Sequence, residues 1–243
     1  MRYLLHCCSD THGCIPPAPR LDDCVAWLHA GDLCDGAEAR DVNPEADPLI
    51  DPILAPVTKW FCDRTAPVFI VQGNHDVVDL YHASRFAKDV TGLLVPIAQG
   101  LCIAGIGWHG ERYFELPFEA DLRSCCESLL RMARRLLMPQ DRVVLLTHYP
   151  PRFPGTHDVP NDRDGADVWY DCVRDLAQEL RASVVIQGHN HQWFGEVHRL
   201  NLAYGQLLIV NPGPAGCSVA IDTQTGNAET STLSVSRAKG SRK

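Results

Sequence analysis

Five short stretches of this 243-residue chain gather aspartate, asparagine and histidine, each directly after an apolar run. They are "SDTHG" (Asp10, His12), "HAGDL" (Asp32), "GNHD" (Asn74, His75, Asp76), "LTHYP" (His148) and "QGHNH" (His189, His191). Carboxylates and neutral imidazoles suit borderline divalent metals such as Mn, Fe, Zn, Co or Ni. Singly these stretches say little. "DTH" reads as a turn or helix cap, "GD" is nearly uninformative, and a lone His148 is more often a core histidine than a ligand. "GNHD" is the most specific of them, and the ordered set of five points to one site.

Asp10, His12, Asp32, Asn74, His148, His189 and His191 together offer seven ligands. One metal cannot take seven such groups and keep an open position. Two metals can, if one carboxylate bridges them. The pairs Asp10/His12 and His189/His191 suit a chain leaving a strand, where alternate side chains point the same way. His75 is left without a necessary metal role. It is free to act as an acid, with Asp76 beside it to orient the ring and favour the imidazolium.

The elements that must position these residues are visible as short apolar runs. "RYLLHCC", "CVAWLHAG", "APVFIVQG", "LCIAGIG", "RVVLLTH", "SVVIQGH", "QLLIVNPG" and "CSVAIDTQTG" read as strands, most of them buried on both faces. "PFEADLRSCCESLLRMARRLL" carries a helical stripe of Leu122, Cys126, Leu129, Leu130, Ala133, Leu136 and Leu137. "DVWYDCVRDLAQELRA" repeats Val168, Cys172, Leu176 and Leu180 at spacings of four, and "DPILAPVTKWFCDR" and "VVDLYHASRFAK" read as shorter helices. Strand and helix alternate in the first half, which predicts parallel pairing and an α/β fold. "IDTQTGNAE" predicts a hairpin turn in the strand-rich C-terminal third. In open α/β sheets ligands bind beyond the carboxyl ends of the strands, where all five stretches lie. Residues 1–236 are expected to form a single domain, with 237–243 a basic, disordered tail.

Composition bounds the partners. Hydrophobic residues make up 45% and charged residues 21% of the chain, ordinary values for a globular protein with a sizeable core. The formal net charge is −8, and the tail "SRAKGSRK" is the one basic run, so a duplex nucleic acid partner is not expected. No apolar stretch reaches the ~20 residues that span a bilayer, so no membrane partner is expected. "MRYLLHCCSDTHG" reads as a first strand and not as a signal peptide. Eleven cysteines without C-x-x-C spacing fit reduced thiols and a cytoplasmic location. The vicinal pairs Cys7-Cys8 and Cys125-Cys126 read as small buried hydrophobes.

Two features imitate other chemistry. "GIGWHG" (105–110) matches a dinucleotide fingerprint, but "ERYFELP" with Pro117 follows where a helix should open. Its glycines fit a tight turn beside the metal rim, with Trp108, His109, Arg112 and Tyr113 either lining a substrate pocket or forming a plain surface loop. His6 and His29 read as satisfied core histidines. The stretch 149–165 reads as a long loop of the kind that often carries function, from which Arg152 and His157 would reach a substrate phosphate or remain solvated.

The series Asp10-x-His12, Gly31-Asp32, Gly73-Asn74-His75-Asp76, His148, Gly188-His189-x-His191 resembles the calcineurin-like metallophosphoesterase pattern, with no motif element missing. "VNPGPAG" followed by a strand is similar to the tail of small bacterial members. The resemblance implies a four-layer α/β/β/α sandwich with mixed sheets and a binuclear centre at the strand ends. It implies that Asp10, His12, Asp32 and His191 hold one metal, and that Asp32 bridges to a second held by Asn74, His148 and His189. It makes His75 the proton donor to the leaving oxygen, while a hydroxide shared by two divalent cations attacks phosphorus. The expected substrate is a small phosphodiester or phosphomonoester. "GDLCDGAEA" departs from the "GDxxDRG" signature of the family's protein phosphatases, and the family's nucleases usually carry added DNA-binding domains. A metal-binding interaction scaffold is the non-enzymatic alternative.

Overall fold

Apolar runs with turn residues at their ends become strands, and amphipathic stretches cover them. The computed structural model describes residues 1–15, 23–34, 55–76, 87–107, 119–154, 156 and 167–232. The strands are β1 (Arg2–Cys8), β2 (Ala26–His29), β3 (Val68–Ile70), β4 (Lys88–Asp89), β5 (Leu94–Ala98), β6 (Leu101–Ile106), β7 (Arg142–Thr147), β8 (Val184–Ile186), β9 (Val197–Leu202), β10 (Gly205–Val210), β11 (Cys217–Asp222) and β12 (Ala228–Thr232). The helices are α1 (Ala55–Cys62), α2 (Glu119–Leu136) and α3 (Asp167–Glu179), with a 3-10 turn over His191–Trp193.

Two six-stranded sheets form, in the orders β12-β11-β1-β2-β3-β4 and β5-β6-β7-β8-β10-β9. Both are mixed. β1, β2, β3 and β4 pair in parallel, as do β6, β7, β8 and β10, while β11, β12, β5 and β9 add antiparallel partners. The expected hairpin closes β11 onto β12, with Ile221 opposite Ala228 and Gly226 at φ 79 in its turn.

Three apolar clusters define the layers. Leu5, Leu28 and Phe69 of one sheet meet Ile103, Leu146, Ile186 and Val210 of the other. On the outer face of the second sheet, Leu129 and Ala133 of α2 and Val173 and Leu176 of α3 cover Val143, Leu145 and Val185. On the outer face of the first, Val57, Trp60 and Phe61 of α1 pack on Trp27, Val68 and Ile70. The layers are therefore α/β/β/α. β7 shows why its run is continuously apolar: Val144 and Leu146 face the other sheet, Val143 and Leu145 face the helices.

Several expectations shift. β4, β5, β9 and β12 are the four sheet edges, and none is named by an apolar run, β12 being implied only by its turn. β5 contains Pro96, and β9 ("VHRLNL") alternates in exposure, both properties of strands paired on one side. In α2, Cys126, Leu129, Leu130 and Ala133 pack as expected, as does Leu137 just beyond its end, but Leu136 is 60% exposed. The stretch 149–165 read as a long loop begins in the core, with Tyr149 and Phe153 buried in the cluster under α2 and α3. Residues 157–165, "VVDLYHASRFAK" up to Phe86, and the tail lie outside the described residues. All eleven cysteines are free, and Cys7 and Cys8 are fully buried. Among the described residues no helix is long and apolar enough to cross a membrane.

His6 is a satisfied core histidine, bonded to Ser218 Oγ at 2.9 Å and Asp23 Oδ1 at 3.3 Å. His29 is only half satisfied. Its Nε2 lies 3.0 Å from Thr11 Oγ1, while its Nδ1 is buried without a partner among the described residues. Burial pushes the His29 imidazole down from 6.5 to about 3. The folded state thus refuses a proton that the unfolded chain accepts below pH 6.5. Relative to a His29→Gln variant, metal-free wild-type protein should keep its full stability above pH 6.5 and lose ground progressively as pH falls toward about 3. Urea unfolding on both sides of pH 6.5 checks this, and a difference independent of pH would refute it.

Candidate metal centre

Each motif begins where a strand stops. β1, β2 and β3 deliver Asp10, His12, Asp32 and Asn74 from one sheet, and β7 and β8 deliver His148, His189 and His191 from the other. The rim is therefore shared by two facing sheets and not by one. The seven predicted ligands come together there.

They fall into two groups. The ligand atoms of Asp10, His12, Asp32 and His191 all lie within 4.8 Å of one another. Within this group His12 Nε2 and His191 Nε2 approach to 3.3 Å, and His191 Nε2 lies 3.6 Å from Asp10 Oδ1. On the other side Asn74 Oδ1 is 2.9 Å from His148 Nε2 and 3.0 Å from His189 Nδ1. Asp32 joins the groups through one atom: its Oδ2 is 3.8 Å from His12 Nε2 and 3.4 Å from His148 Nε2. Its Oδ1 accepts from the His75 amide at 2.8 Å, which fixes the carboxylate plane.

Backbone conformation, more than strand alternation, aims these side chains. Five described non-glycine residues have positive φ, and Asp10, His12, Asp32 and His189 are four of them, at 50, 43, 54 and 69°. Such residues are uncommon and cost on the order of 1–3 kcal/mol each, though Asp and His tolerate the region best. Asp10, His12 and His189 of the i, i+2 pairs therefore sit in left-handed turns beyond the strands, while His191 opens the 3-10 turn. The motif glycines let those turns close. A Cβ on Gly73 would lie 2.2 Å from Asp32 Oδ1, and one on Gly188 would lie 2.7 Å from Asp10 Oδ2.

The electrostatics fit cations. His148 is completely buried, and its Nδ1–H donates to the Ala30 carbonyl at 2.8 Å, so its Nε2 faces the site. Burial alone would lower its pKa, but the charges of Asp32 and Asp10 and the Ala30 bond raise it. Burial, then the charge of His148, push His189 down to about 3, leaving a neutral imidazole. Burial raises the Asp10 carboxyl, but His191, His148, Ser9 and the His189 amide more than offset this and hold it at about 2. Asp10 Oδ2 is buried with no hydrogen-bond partner among the described residues. An orphaned anionic oxygen facing a ring of imidazoles and a second carboxylate fits a divalent metal.

His75 and Asp76 part company. The His75 ring is half-buried and lies edge-on to His12, centroids 4.9 Å apart, at the open side of the first group. The sequence places Asp76 where it could orient that ring. Its carboxylate is buried instead, and accepts from the amides of Leu33 at 2.7 Å, Cys34 at 3.1 Å and Gly73 at 2.8 Å. It clamps the "GDL" turn to the "GNHD" turn. Burial and the nearby Asp32 charge push it up to about 7, against the backbone amides that favour the anion. Arg152 lies 4.0 Å from Asp171 on α3. Trp108, His109 and Arg112 fall outside the described residues, and of the "GIGWHG" glycines only Gly105 and Gly107 are described. Both allow close backbone approach: added Cβ atoms would meet Val90 O at 2.3 Å and Gln72 N at 2.7 Å.

Sequence reasoning missed the supports: Tyr149, whose ring is 4.6 Å from that of His189, and Asn211, whose Nδ2 donates to Asn190 O at 3.1 Å. Asn211 lies in "VNPG", the one signal that hinted at it. Gly73→Ala should displace Asp32 and weaken metal binding at least tenfold, as loss of a residue supporting a ligand does by about 10–100-fold. Calorimetric titration with Mn(II) checks this, and unchanged affinity would show that the turn has slack.

Comparison with known proteins agrees with this geometry. The fold matches TT1561 of Thermus thermophilus with a TM-score of 0.59 at 13% identity, covering 96% of this chain and 100% of that one. It matches a putative 5'-nucleotidase from Staphylococcus aureus at 0.54 and 14% identity, over 96% of this chain and 53% of that one. A phosphopantetheinyl hydrolase from Mycobacterium tuberculosis matches at 0.50 and 14% identity, over 87% and 89% of the two chains. The search of curated proteins returns no match. The family model for calcineurin-like phosphoesterases matches residues 4–193, a span that includes all seven predicted ligands, and the chain belongs to that family.

Proposed function

We propose that this protein is a hydrolase of small phosphate monoesters or diesters that works with two divalent metal ions, from among Mn, Fe, Zn, Co and Ni. The single observation that supports it best is Asp32 Oδ2, which faces His12 on one side and His148 on the other while Oδ1 is tied to the His75 amide. A carboxylate held so is suited to bridge. Asp10, His12, Asp32 and His191 hold one ion; Asp32, Asn74, His148 and His189 hold the other. When bound, such a pair of cations supplies Lewis acidity at phosphorus and a water that ionises near neutral pH.

The chain's own residues do the rest. Asp10, neutral His189 and the Ala30-anchored His148 hold ligand lone pairs toward the site without large rearrangement. His75, half-buried at the open edge, donates a proton to the leaving oxygen. The amide of His75 holds Asp32, so the acid and the bridge move together. A chain of net charge −8 accepts an anionic ester because the cations offset its carboxylates locally.

His75→Ala should lower turnover by about 10²–10⁴-fold while metal content is kept. The deficit should be largest for esters with poor leaving groups, and undiminished hydrolysis of those would reject the role. Asp32→Asn should cost both ions, and a variant that holds two tightly would reject bridging. Metal analysis with a panel of nucleoside monophosphates, cyclic nucleotides and phosphopantetheine-type diesters tests the reading itself. Full metal content without turnover on any of these would favour a scaffold.

A further inference from the structure

Thr11 separates two metal-facing residues with left-handed backbones, Asp10 and His12. Backbone bonds zip this turn to the next motif: Asp10 N to Gly31 O at 2.9 Å, His12 N to Asp32 O at 3.0 Å and Gly13 N to Leu33 O at 2.7 Å. Those bonds are open to any sequence. The bond between Thr11 Oγ1 and His29 Nε2 is not, because it needs both side chains. Thr11 Oγ1 donates its one proton to Leu33 O at 3.3 Å. It must therefore accept from His29, which fixes the tautomer with the proton on Nε2. Both residues are nearly sealed from solvent, Thr11 at 3% and His29 at 1% exposure.

An apolar residue of the same size would fill the His29 site without leaving Nδ1 buried and unpaired. Core packing alone thus gives no reason for an imidazole here. The geometry points to His29 as a positioning residue for the ion held by Asp10, His12, Asp32 and His191, acting through Thr11. His29 stands at the end of β2, three residues before Asp32, and its donated proton ties the Asp10–His12 turn to that strand. These bonds reach the second ion's ligands only through the shared Asp32 and the His189 amide that Asp10 accepts at 2.9 Å, so the effect falls more heavily on the first ion. The inference rests on the two-metal reading.

The test uses metal-free full-length protein titrated with Mn(II) alone, followed by calorimetry and by the electron paramagnetic signal. His12→Ala marks which binding event belongs to the first group. His29→Phe, which keeps the ring and loses the donor, should weaken that event by roughly 10–100-fold, the size seen for residues that orient a ligand, and the other event by clearly less. His29→Gln presents an N–H near the same position and should recover most of the loss. Thr11→Val should match His29→Phe, and the double variant should be no worse than either single. It also serves if His29→Phe does not fold. Unchanged affinity in both single variants, equal weakening of both ions, or a Gln variant as poor as Phe would overturn the inference. Wild-type protein that takes up one Mn would sink the two-metal reading instead, while the His12→Ala comparison would still show whether His29 acts on that ion.

Discussion

The constraint on which the rest of the site depends is the placement of one carboxylate. Asp32 has a single side chain and two jobs: Oδ1 must hold the His75 amide, and Oδ2 must stand between His12 and His148. Both need the carboxylate plane fixed to within a fraction of an ångström. The fold achieves this with a left-handed backbone at Asp32 itself and glycines at 31 and 73 that leave no room for a Cβ. Asp76 then ties the following amides, Leu33 and Cys34, to the turn that carries Asn74. The two motifs behave as one rigid piece, and the first motif joins it through three backbone bonds and the Thr11 hydroxyl.

That arrangement is costly in the absence of cations. Asp10, Asp32 and Asp76 are each at most 3% exposed, and their charges share a small volume. The strain shows at Asp76, where amide donors fail to keep the carboxyl in the ordinary range because burial and the Asp32 charge oppose them. It shows again at His148, raised by two carboxylates although it is fully buried. Divalent cations held among these groups would offset the carboxylate repulsion. Metal bound there would be coupled to folding, its ligand bonds offsetting the conformational cost of the left-handed turns.

How much of this is legible in the sequence follows from periodicity. Strands buried on both faces, such as "RVVLL", carry a continuous apolar signal, and all eight of the named runs form. Edge strands are solvated along one side and tolerate Pro96 or the polar alternation of "VHRLNL", so they leave no such signal. The ligands are legible because their residue types are rare together. Asp76 misleads for the opposite reason: adjacency to His75 suggests an ion pair, but successive side chains leaving a strand need not face each other, and buried amides compete for a carboxylate. His29 offers no sequence signal at all, since a histidine inside an apolar run looks like any core histidine.

The supports also explain why the site sits where two sheets meet. A single parallel sheet can bring Asp10, Asp32 and Asn74 to one rim, but imidazoles must then come from somewhere that closes the other side. β7 and β8 supply them from the facing sheet, across a core of Leu28, Leu146, Ile186 and Val210 that holds the two rims at fixed separation. His148 binds the Ala30 carbonyl, an atom of the opposite sheet's loop, and Gly188 N binds His148 O. The first of those bonds crosses the interface at the point where the cations would lie. Any relative slide of the sheets would break it and separate Asp32 from His148, so the apolar layer between the sheets sets the spacing of the two ligand groups as surely as the ligands themselves do.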